Sequence, residues 1–324
     1  MDDLRYPLGS TSMLITPIGL GCWQFSGGKG LIGGYWRPLD QERVNAIVKA
    51  SLDGGVNWFD TAEAYGMGAS EDALSTALDA AGVRNTALIA TKWLPFFRFA
   101  GSIARTFPKR EEHLAPHGVD LHQVHQPWSF SSIERQMDEM AELVDAGSIR
   151  AVGVSNFSAG QMRRAHDRLA RRGIPLASNQ VRYSLLDREI EENGVLETAD
   201  ELGVTIIAYS PLAQGVLTGK YHESEDARRS LSGPRRFLPR FKSSGLEKSL
   251  PLVRKLQEVA EAHDASAAQV ALAWTVQRHG ERVVAIPGAS SVSQAESNAA
   301  SMSLRLTEDQ LGEIDVQSRR LAGR

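Results

Sequence analysis

Four residues stand at or just past the ends of short apolar runs: Asp60 and Tyr65 in DTAEAYG, Lys92 in LIATK and His125 in LHQVH. An acid, a cation beside it, an anion that holds the cation and an imidazole that aligns an oxygen can together protonate a carbonyl while hydride reaches its carbon. Tyrosine is a poor acid at neutral pH, with an unperturbed pKa of about 10, but a buried ammonium nearby favours its ionised form. Lys92 supplies that charge in this reading. Asp60 offsets the cost of burying it, and His125 hydrogen-bonds the substrate oxygen. Each residue alone has a plainer account, since a lone Lys is usually an exposed charge and a Tyr in a glycine-containing loop is usually packing. The chemical reading gains force because each of the four roles requires the others. His113, His117, His122 and His125 raise the alternative of a metal site. Strand alternation turns His122 and His125 to opposite faces and no cysteine lies near them, so no metal is expected.

The elements that must position these residues follow from periodicity. Short β-like runs at 18–22, 57–60, 87–91, 120–125, 149–155, 177–181, 205–209 and 283–286 alternate with helical patterns. Eight strands with intervening helices predict a (β/α)8 TIM barrel, whose strand C-termini converge on one mouth and so gather residues distant in sequence. The pattern over 39–55 starts at an Asp40 cap, places Val44, Ile47, Val48 and Leu52 on one face and stops at Gly54-Gly55. Residues 70–81 and 131–146 read as helices, the latter opening on the capping-box sequence SSIE. Further helices are predicted over 158–171, 189–202, 249–263 and 266–279, with an extra C-terminal one over 307–320.

Ahead of the first barrel strand, residues 1–16 predict a β-hairpin turning at Gly9-Ser10 and covering the N-terminal face. Two stretches are irregular. Over 93–118, Pro95, Pro108 and Pro116 predict no regular helix, and 218–247 is rich in Arg, Ser and Gly. Both are candidate substrate or cofactor loops. The basic run RRSLSGPRR at 228–236 reads as a solvated loop unless something anionic binds beside it.

Composition adds bounds. The 324 residues, 42% hydrophobic and 23% charged, suit a single barrel domain over 1–324, and a net charge of −3 gives no general attraction to nucleic acid or anionic membrane. Cys22 is the only cysteine and no stretch approaches the roughly 18 apolar residues of a membrane span. The opening MDDLRYPLGS has neither a basic nor an apolar leader region, so a cytoplasmic protein is expected. Exposed helix faces predict no oligomeric state.

With the four residues assembled, the chain resembles the aldo-keto reductase superfamily from about residue 17 to residue 298. The resemblance rests on GLGCW at 19–23, DTAEAYG at 60–66 followed by SE, LHQVH at 121–125, GVSNF at 153–157, NQVRYSLLDR at 179–188, AYSPLAQGVLTGKY at 208–221 and IPGASS at 286–291. It implies a nicotinamide dinucleotide bound in extended form without a Rossmann domain, in keeping with the lack of a GxGxxG fingerprint. It also implies Tyr65 as proton donor, with Asp60, Lys92 and His125 completing the tetrad. Ser155, Asn156 and Gln180 would hold the nicotinamide carboxamide, Tyr209 would stack on its ring, and Cys22, Trp23 and Asp60 would lie against the cofactor. Ser210, Pro211, Leu212, Gln214, Gly215 and Lys220 would meet the pyrophosphate. Gly288, Ser290, Gln294 and Asn298 would meet the adenosine phosphate end. The form GASS-x-x-x-Q resembles the branch containing potassium-channel β-subunits and lacks the Lys or Arg that often meets the 2′-phosphate. NADPH is therefore expected, with NADH able to compete. Trp23, Trp93 and Trp128 are expected to wall an apolar pocket. The reading as a whole is NADPH-dependent reduction of a small aldehyde or ketone. An alcohol or sugar dehydrogenase and a nicotinamide-binding regulatory subunit with little turnover are the alternatives.

Overall fold

In the computed structural model, which describes residues 4–30, 33–84 and 86–322, the β-like runs become eight parallel strands paired in sequence order. After the hairpin strands β1 (Tyr6–Pro7) and β2 (Leu14–Ile15) come β3 (Leu20–Gly21), β4 (Trp58–Asp60), β5 (Leu88–Trp93) and β6 (Val119–Val124). β7 (Ile149–Ser155), β8 (Leu176–Arg182), β9 (Thr205–Tyr209) and β10 (Val283–Ile286) follow. Parallel bridges from Ile18 to Ala285 and from Gly21 to Gly288 bring the first strand against the last and close the barrel. The register sets Gly21 beside Asp60, Lys92 beside Gln123 and Ser155 beside Gln180, which aligns the C-terminal ends that carry the candidate chemistry.

The crossover helices form where their caps and apolar faces agree. Asp40 accepts from the Arg43 amide at 2.8 Å to start α1 (Gln41–Asp53), whose Val44, Ile47 and Val48 are buried. α2 (Ala69–Ala80) follows the second barrel strand, and Ser132 caps α4 (Ile133–Asp145), which buries Ile133, Met137, Met140 and Leu143. Ser158 with Gln161 and Ser266 with Gln269 make capping boxes that open α5 (Ala159–Ala170) and α10 (Ala267–Gln277). Beyond the predicted boundaries, α9 runs over Ser243–Glu261, and α11 (Val292–Ala300) follows the last strand. α12 (Glu308–Ala322) is the extra C-terminal helix, tied by Asp315 to Arg188 in the loop after β8. Among the described residues no helix is long and apolar enough to cross a membrane.

Two sequence expectations fail here. The stretch 93–118 does contain a regular helix, α3 (Ser102–Leu114), with Pro108 inside it. Ile103, Phe107, Arg110 and Leu114 supply a buried stripe, while Pro108 and Ala104 lie on the solvent side. The backbone bond that Pro108 removes is therefore one whose orphaned carbonyl is left to water. The predicted helix over 189–202 is instead a single 3-10 turn at Glu189–Glu191 and then α6 (Val195–Leu202), divided at Gly194, whose φ is +82°. The irregular stretch 218–247 holds two short helices, α7 (Lys220–Glu223) and α8 (Glu225–Arg229), before α9 begins.

The hairpin fills the end of the barrel away from the candidate site. Leu8, Met13 and Ile15 pack on Trp58, Ala90, Leu121 and the inner residues of the later strands. Gly9 makes the turn at φ +57° and its amide donates to Thr205 Oγ1 at 2.7 Å. A side chain there would overlap the Ala177 carbonyl oxygen.

Candidate active site

Asp60 ends β4, Lys92 lies one residue before the end of β5, Tyr65 follows in the loop after β4, and His125 lies just past β6. Lys92 is 0% exposed and Asp60 1%. The Lys92 ammonium donates to Asp60 Oδ1, to the Thr61 carbonyl at 2.8 Å and to the Tyr65 hydroxyl at 3.4 Å. The second carboxylate oxygen of Asp60 accepts from Gln123 at 3.0 Å and Gln180 at 2.8 Å. A buried ion pair offsets its desolvation only when its remaining hydrogen-bonding sites are also met, and here the amides meet them. Gln123 was missed by the sequence reading, although alternation along LHQVH sets positions 121, 123 and 125 on one face. Gln180 spends its amide hydrogens on Asp60 and Gln123, so its carbonyl oxygen is the group it offers a ligand.

Burial pushes the Tyr65 hydroxyl pKa up; Lys92 pulls it down without cancelling the rise. The ammonium thus favours the ionised form as expected, while desolvation of a phenolate is the larger effect. The proton stays on Tyr65 until a stronger base appears. Burial works to lower the Lys92 pKa, but Asp60 and Tyr65 together leave it raised, so Lys92 remains an ammonium. Burial first and Lys92 second hold His125 down to about 3, so its imidazole is neutral. Its ring meets the Tyr65 ring edge-on at 5.8 Å. His122 turns away to pack edge-on against Phe107 of α3 at 5.2 Å.

Tyr65 and His125 line a cavity of about 940 Å³ together with Ser290, Gln294 and Asn298, the first just before α11 and the other two on it. The residues expected to touch a cofactor, from Cys22 and Trp23 through Ser155, Asn156, Gln180, Tyr209, Ser210–Leu212, Gln214, Gly215 and Lys220 to Gly288, all line it. Ser155 Oγ donates to the backbone carbonyl of Gln180 at 2.8 Å, and Tyr209 donates to Asn156 Oδ1 at 3.0 Å. Asn156, Ser210 and Gln214 have φ between +54° and +60°, a left-handed conformation rare outside glycine. Such residues gather where side chains must be aimed at a ligand. Among the described residues five cations line the cavity, Arg37, Arg43, Arg182, Lys220 and Arg235, against the single carboxylate Asp60, which Lys92 already neutralises.

Two of the three tryptophans proposed for the apolar wall lie elsewhere. Trp93 is 1% exposed and faces α3, donating to Ser102 Oγ at 3.1 Å, because its neighbour Lys92 takes the inward position on the strand. Trp128 is 64% exposed and does not line the cavity. The wall is made by Trp23 with Tyr35 and Trp36: Trp23 stacks on Tyr35 at 4.7 Å, approaches the Tyr65 ring at 6.1 Å and meets Trp36 edge-on at 5.9 Å. The adjacent YW pair after the glycine-rich stretch following the first barrel strand was the available signal.

The model of the Aldo/keto reductase family matches residues 17–318. The chain is 38% identical over 293 residues to an uncharacterized oxidoreductase of Mycobacterium tuberculosis, covering 90% of this chain and 86% of that one. It is 32% identical over 320 residues to the chloroplastic pyridoxal reductase of Arabidopsis thaliana, covering 94% and 84%. Among solved structures, a glycerol dehydrogenase from Gluconobacter oxydans superposes with a TM-score of 0.84 at 28% identity, over 100% of this chain and 98% of that one. An aldo/keto reductase from Klebsiella pneumoniae, solved with NADP and acetate, shares the fold with a TM-score of 0.74 at 24% identity, over 97% and 95%. With the match running from three residues ahead of β3 into the last helix, the chain belongs to the aldo/keto reductase family of oxidoreductases.

Proposed function

We propose that this protein reduces aldehydes or ketones to alcohols with NADPH, and that Tyr65 gives the proton to the carbonyl oxygen. One observation carries the reading: Tyr65 lines the cavity with its hydroxyl hydrogen-bonded to a buried ammonium and its ring against a neutral imidazole. The residues present fit a dinucleotide. One cavity of about 940 Å³ is lined by residues from Tyr65 to Asn298, and five cations among the described residues answer the negative charge that such a molecule carries. Ser155, Asn156 and the Gln180 carbonyl would hold a carboxamide, with the Tyr209 face available to its ring. Lys220 and the backbone of Ser210–Leu212 would meet the pyrophosphate, and Ser290, Gln294 and Asn298 the adenosine end.

When bound, the nicotinamide supplies the hydride. Tyr65 and His125 hold the carbonyl oxygen by hydrogen bonds and so fix the carbon. As negative charge grows on that oxygen it becomes a base strong enough to take the Tyr65 proton, and Lys92 stabilises the phenolate left behind. Asp60, fixed by Gln123 and Gln180, keeps the ammonium aimed at Tyr65. Trp23 and Tyr35 wall the site against water. Carbonyl, NADPH and a proton give alcohol and NADP⁺. Cys22, a buried free thiol, suits a reducing cytoplasm.

The kinship with a pyridoxal reductase supports reduction, and the kinship with a glycerol dehydrogenase supports a second reading in which the same groups oxidise an alcohol. The complete Asp60–Lys92–Tyr65 chain of hydrogen bonds argues for turnover over a regulatory subunit that only binds nicotinamide. The test is loss of NADPH absorbance with aromatic, aliphatic and sugar-derived aldehydes, alongside gain of absorbance with NADP⁺ and alcohols. Reduction is expected to be faster at neutral pH. Faster oxidation would select the dehydrogenase reading, and bound NADPH without turnover in either direction would select the binding role.

A further inference from the structure

The loops after β4, β5 and β6 begin beside Asp60, Lys92 and His125, and Arg98, which does not line the cavity, ties all three together. Its Nη1 donates to Glu63 Oε1, in the loop that carries Tyr65, and to the Leu94 carbonyl at 3.0 Å, two residues past Lys92. The Arg98 carbonyl accepts from the Phe130 amide at 3.1 Å and from Ser129 Oγ at 2.9 Å, in the loop past His125. Nε and Nη2 donate to Ser102 Oγ at 3.1 Å and Thr106 Oγ1 at 2.7 Å, which anchors the guanidinium to α3. Glu63 is held as firmly. Its Oε1 also accepts from the Leu94 amide at 2.6 Å, its Oε2 pairs with Arg110 at 3.3 Å, and its own amide donates to the Lys92 carbonyl at 3.3 Å. Apolar burial does little to fix these loops, because Phe96, Phe97, Phe99, Trp128 and Phe130 are between 52% and 75% exposed. Phe97 nevertheless keeps φ at +56°, which a non-glycine residue does only where its surroundings hold it.

We propose that Arg98 and Glu63 are a positioning pair for carbonyl reduction, setting where Tyr65 stands relative to Lys92 and His125. The proposal rests on the reading of Tyr65 as proton donor. Tyr65 lies two residues past Glu63, and its hydroxyl is 3.4 Å from the Lys92 ammonium, already the long end of a hydrogen bond. A loop that slips by a fraction of an ångström therefore loses the contact that stabilises the phenolate. The guanidinium suits the task because its fixed fork meets a carboxylate, a carbonyl and two hydroxyls at once, and the bond to the carboxylate is charge-assisted. Neither Arg98 nor Glu63 lines the cavity, so the pair acts through Tyr65 and its neighbours and not through contact with a ligand.

The experiment measures kcat per NADPH site, with sites counted by calorimetric titration, for native protein, Arg98→Met, Arg98→Lys, Glu63→Gln and the double variant Glu63→Gln with Arg98→Met. Thermal melting is read beside it. Arg98→Met is expected to lower kcat per site about 10- to 100-fold with NADPH affinity unchanged, because the proton donor is displaced while every cavity residue is kept. Glu63→Gln keeps an acceptor for the Leu94 amide and loses the charge, so about a tenfold fall is expected. Arg98→Lys should recover part of the Arg98→Met loss, having the charge without the fork. The double variant should match Arg98→Met, since either change breaks the same pair. A pair that only stabilises the fold would lower the melting temperature and leave kcat per site native in the single variants, and that result would overturn the proposal. Losses that multiply in the double variant would overturn it as well, by showing that the two residues act apart. No turnover by native protein, or turnover that survives Tyr65→Phe, would instead overturn the proton-donor reading on which the proposal stands.

Discussion

Lys92→Met replaces the buried ammonium with an apolar side chain of similar length and separates what the charge does for stability from what it does for catalysis. In the native fold Lys92 and Asp60 are both almost wholly buried, and Asp60 otherwise has only the amides of Gln123 and Gln180. Removing one partner of such a pair leaves an uncompensated carboxylate and should cost about 3–5 kcal/mol of folding stability. Adding Asp60→Asn removes the second charge while Gln123 and Gln180 still find an acceptor, so the double variant should regain most of that loss. Activity should not return. The ammonium stands 3.4 Å from the Tyr65 oxygen, and at an effective dielectric of about 20 its attraction for a full phenolate is on the order of 5 kcal/mol. If about half of that is felt when the proton is half transferred, the rate falls on the order of 10²-fold. Urea unfolding of the native, single and double variants, with NADPH oxidation on each, reads both quantities. A double variant as unstable as Lys92→Met would show that the pair is not the stabilising unit, and a double variant with native turnover would refute the assigned role of the lysine.

Acid sensitivity is set partly by His122 and Glu71, which work in opposite directions. Burial holds His122 down to about 3, so between pH 6.5 and 3 the unfolded chain binds a proton there that the folded chain does not, and stability falls as pH falls. His122→Phe should therefore reduce the slope of unfolding free energy against pH by about 1.4 kcal/mol per unit between pH 4.5 and 6. Burial raises Glu71 to about 7, so its contribution is fully present below about pH 4.5 and lost as pH rises through 7; Glu71→Gln should steepen the same slope by a similar amount. Urea titrations at three pH values would show a slope unmoved by either change if burial were not the cause. Gly9→Ala forces a side chain into a left-handed turn against the Ala177 carbonyl and should cost about 2 kcal/mol or more. Its kcat should be unchanged, because the plug lies at the far end of the barrel; a parallel loss of kcat would contradict that separation. Gln123→Leu removes one donor from Asp60 and should lower kcat about tenfold with NADPH affinity unchanged, and native kcat would remove Gln123 from the account.

How much of this was legible in the residues depends on whether the feature is set by period or by depth. Asp60, Lys92 and His125 could be placed at one mouth because strand ends converge there whatever the loops do. The plug was legible because two extended segments flank Gly9-Ser10, and the structure pairs Tyr6 with Ile15 and Pro7 with Leu14. The net direction of the Tyr65 shift was not, because it depends on how deeply the hydroxyl is buried, which no local pattern reports. α3 was denied because three prolines were weighed by number and not by face; the buried stripe from Ile103 to Leu114 decided the matter. Trp93 was misplaced although alternation from Lys92 already turned it outward. Tyr35, Trp36 and Arg235 lie in segments without period, and only their packing on one another brings them to the cavity.

The most direct test of the central claim is NADPH oxidation by Tyr65→Phe with the best aldehyde of the panel, beside a titration of its NADPH affinity. The account predicts that turnover falls to a trace while NADPH binds as tightly as to native protein, because only the hydroxyl that donates the proton has been removed. Turnover within a few-fold of native would contradict it, since the proton would then come from another group.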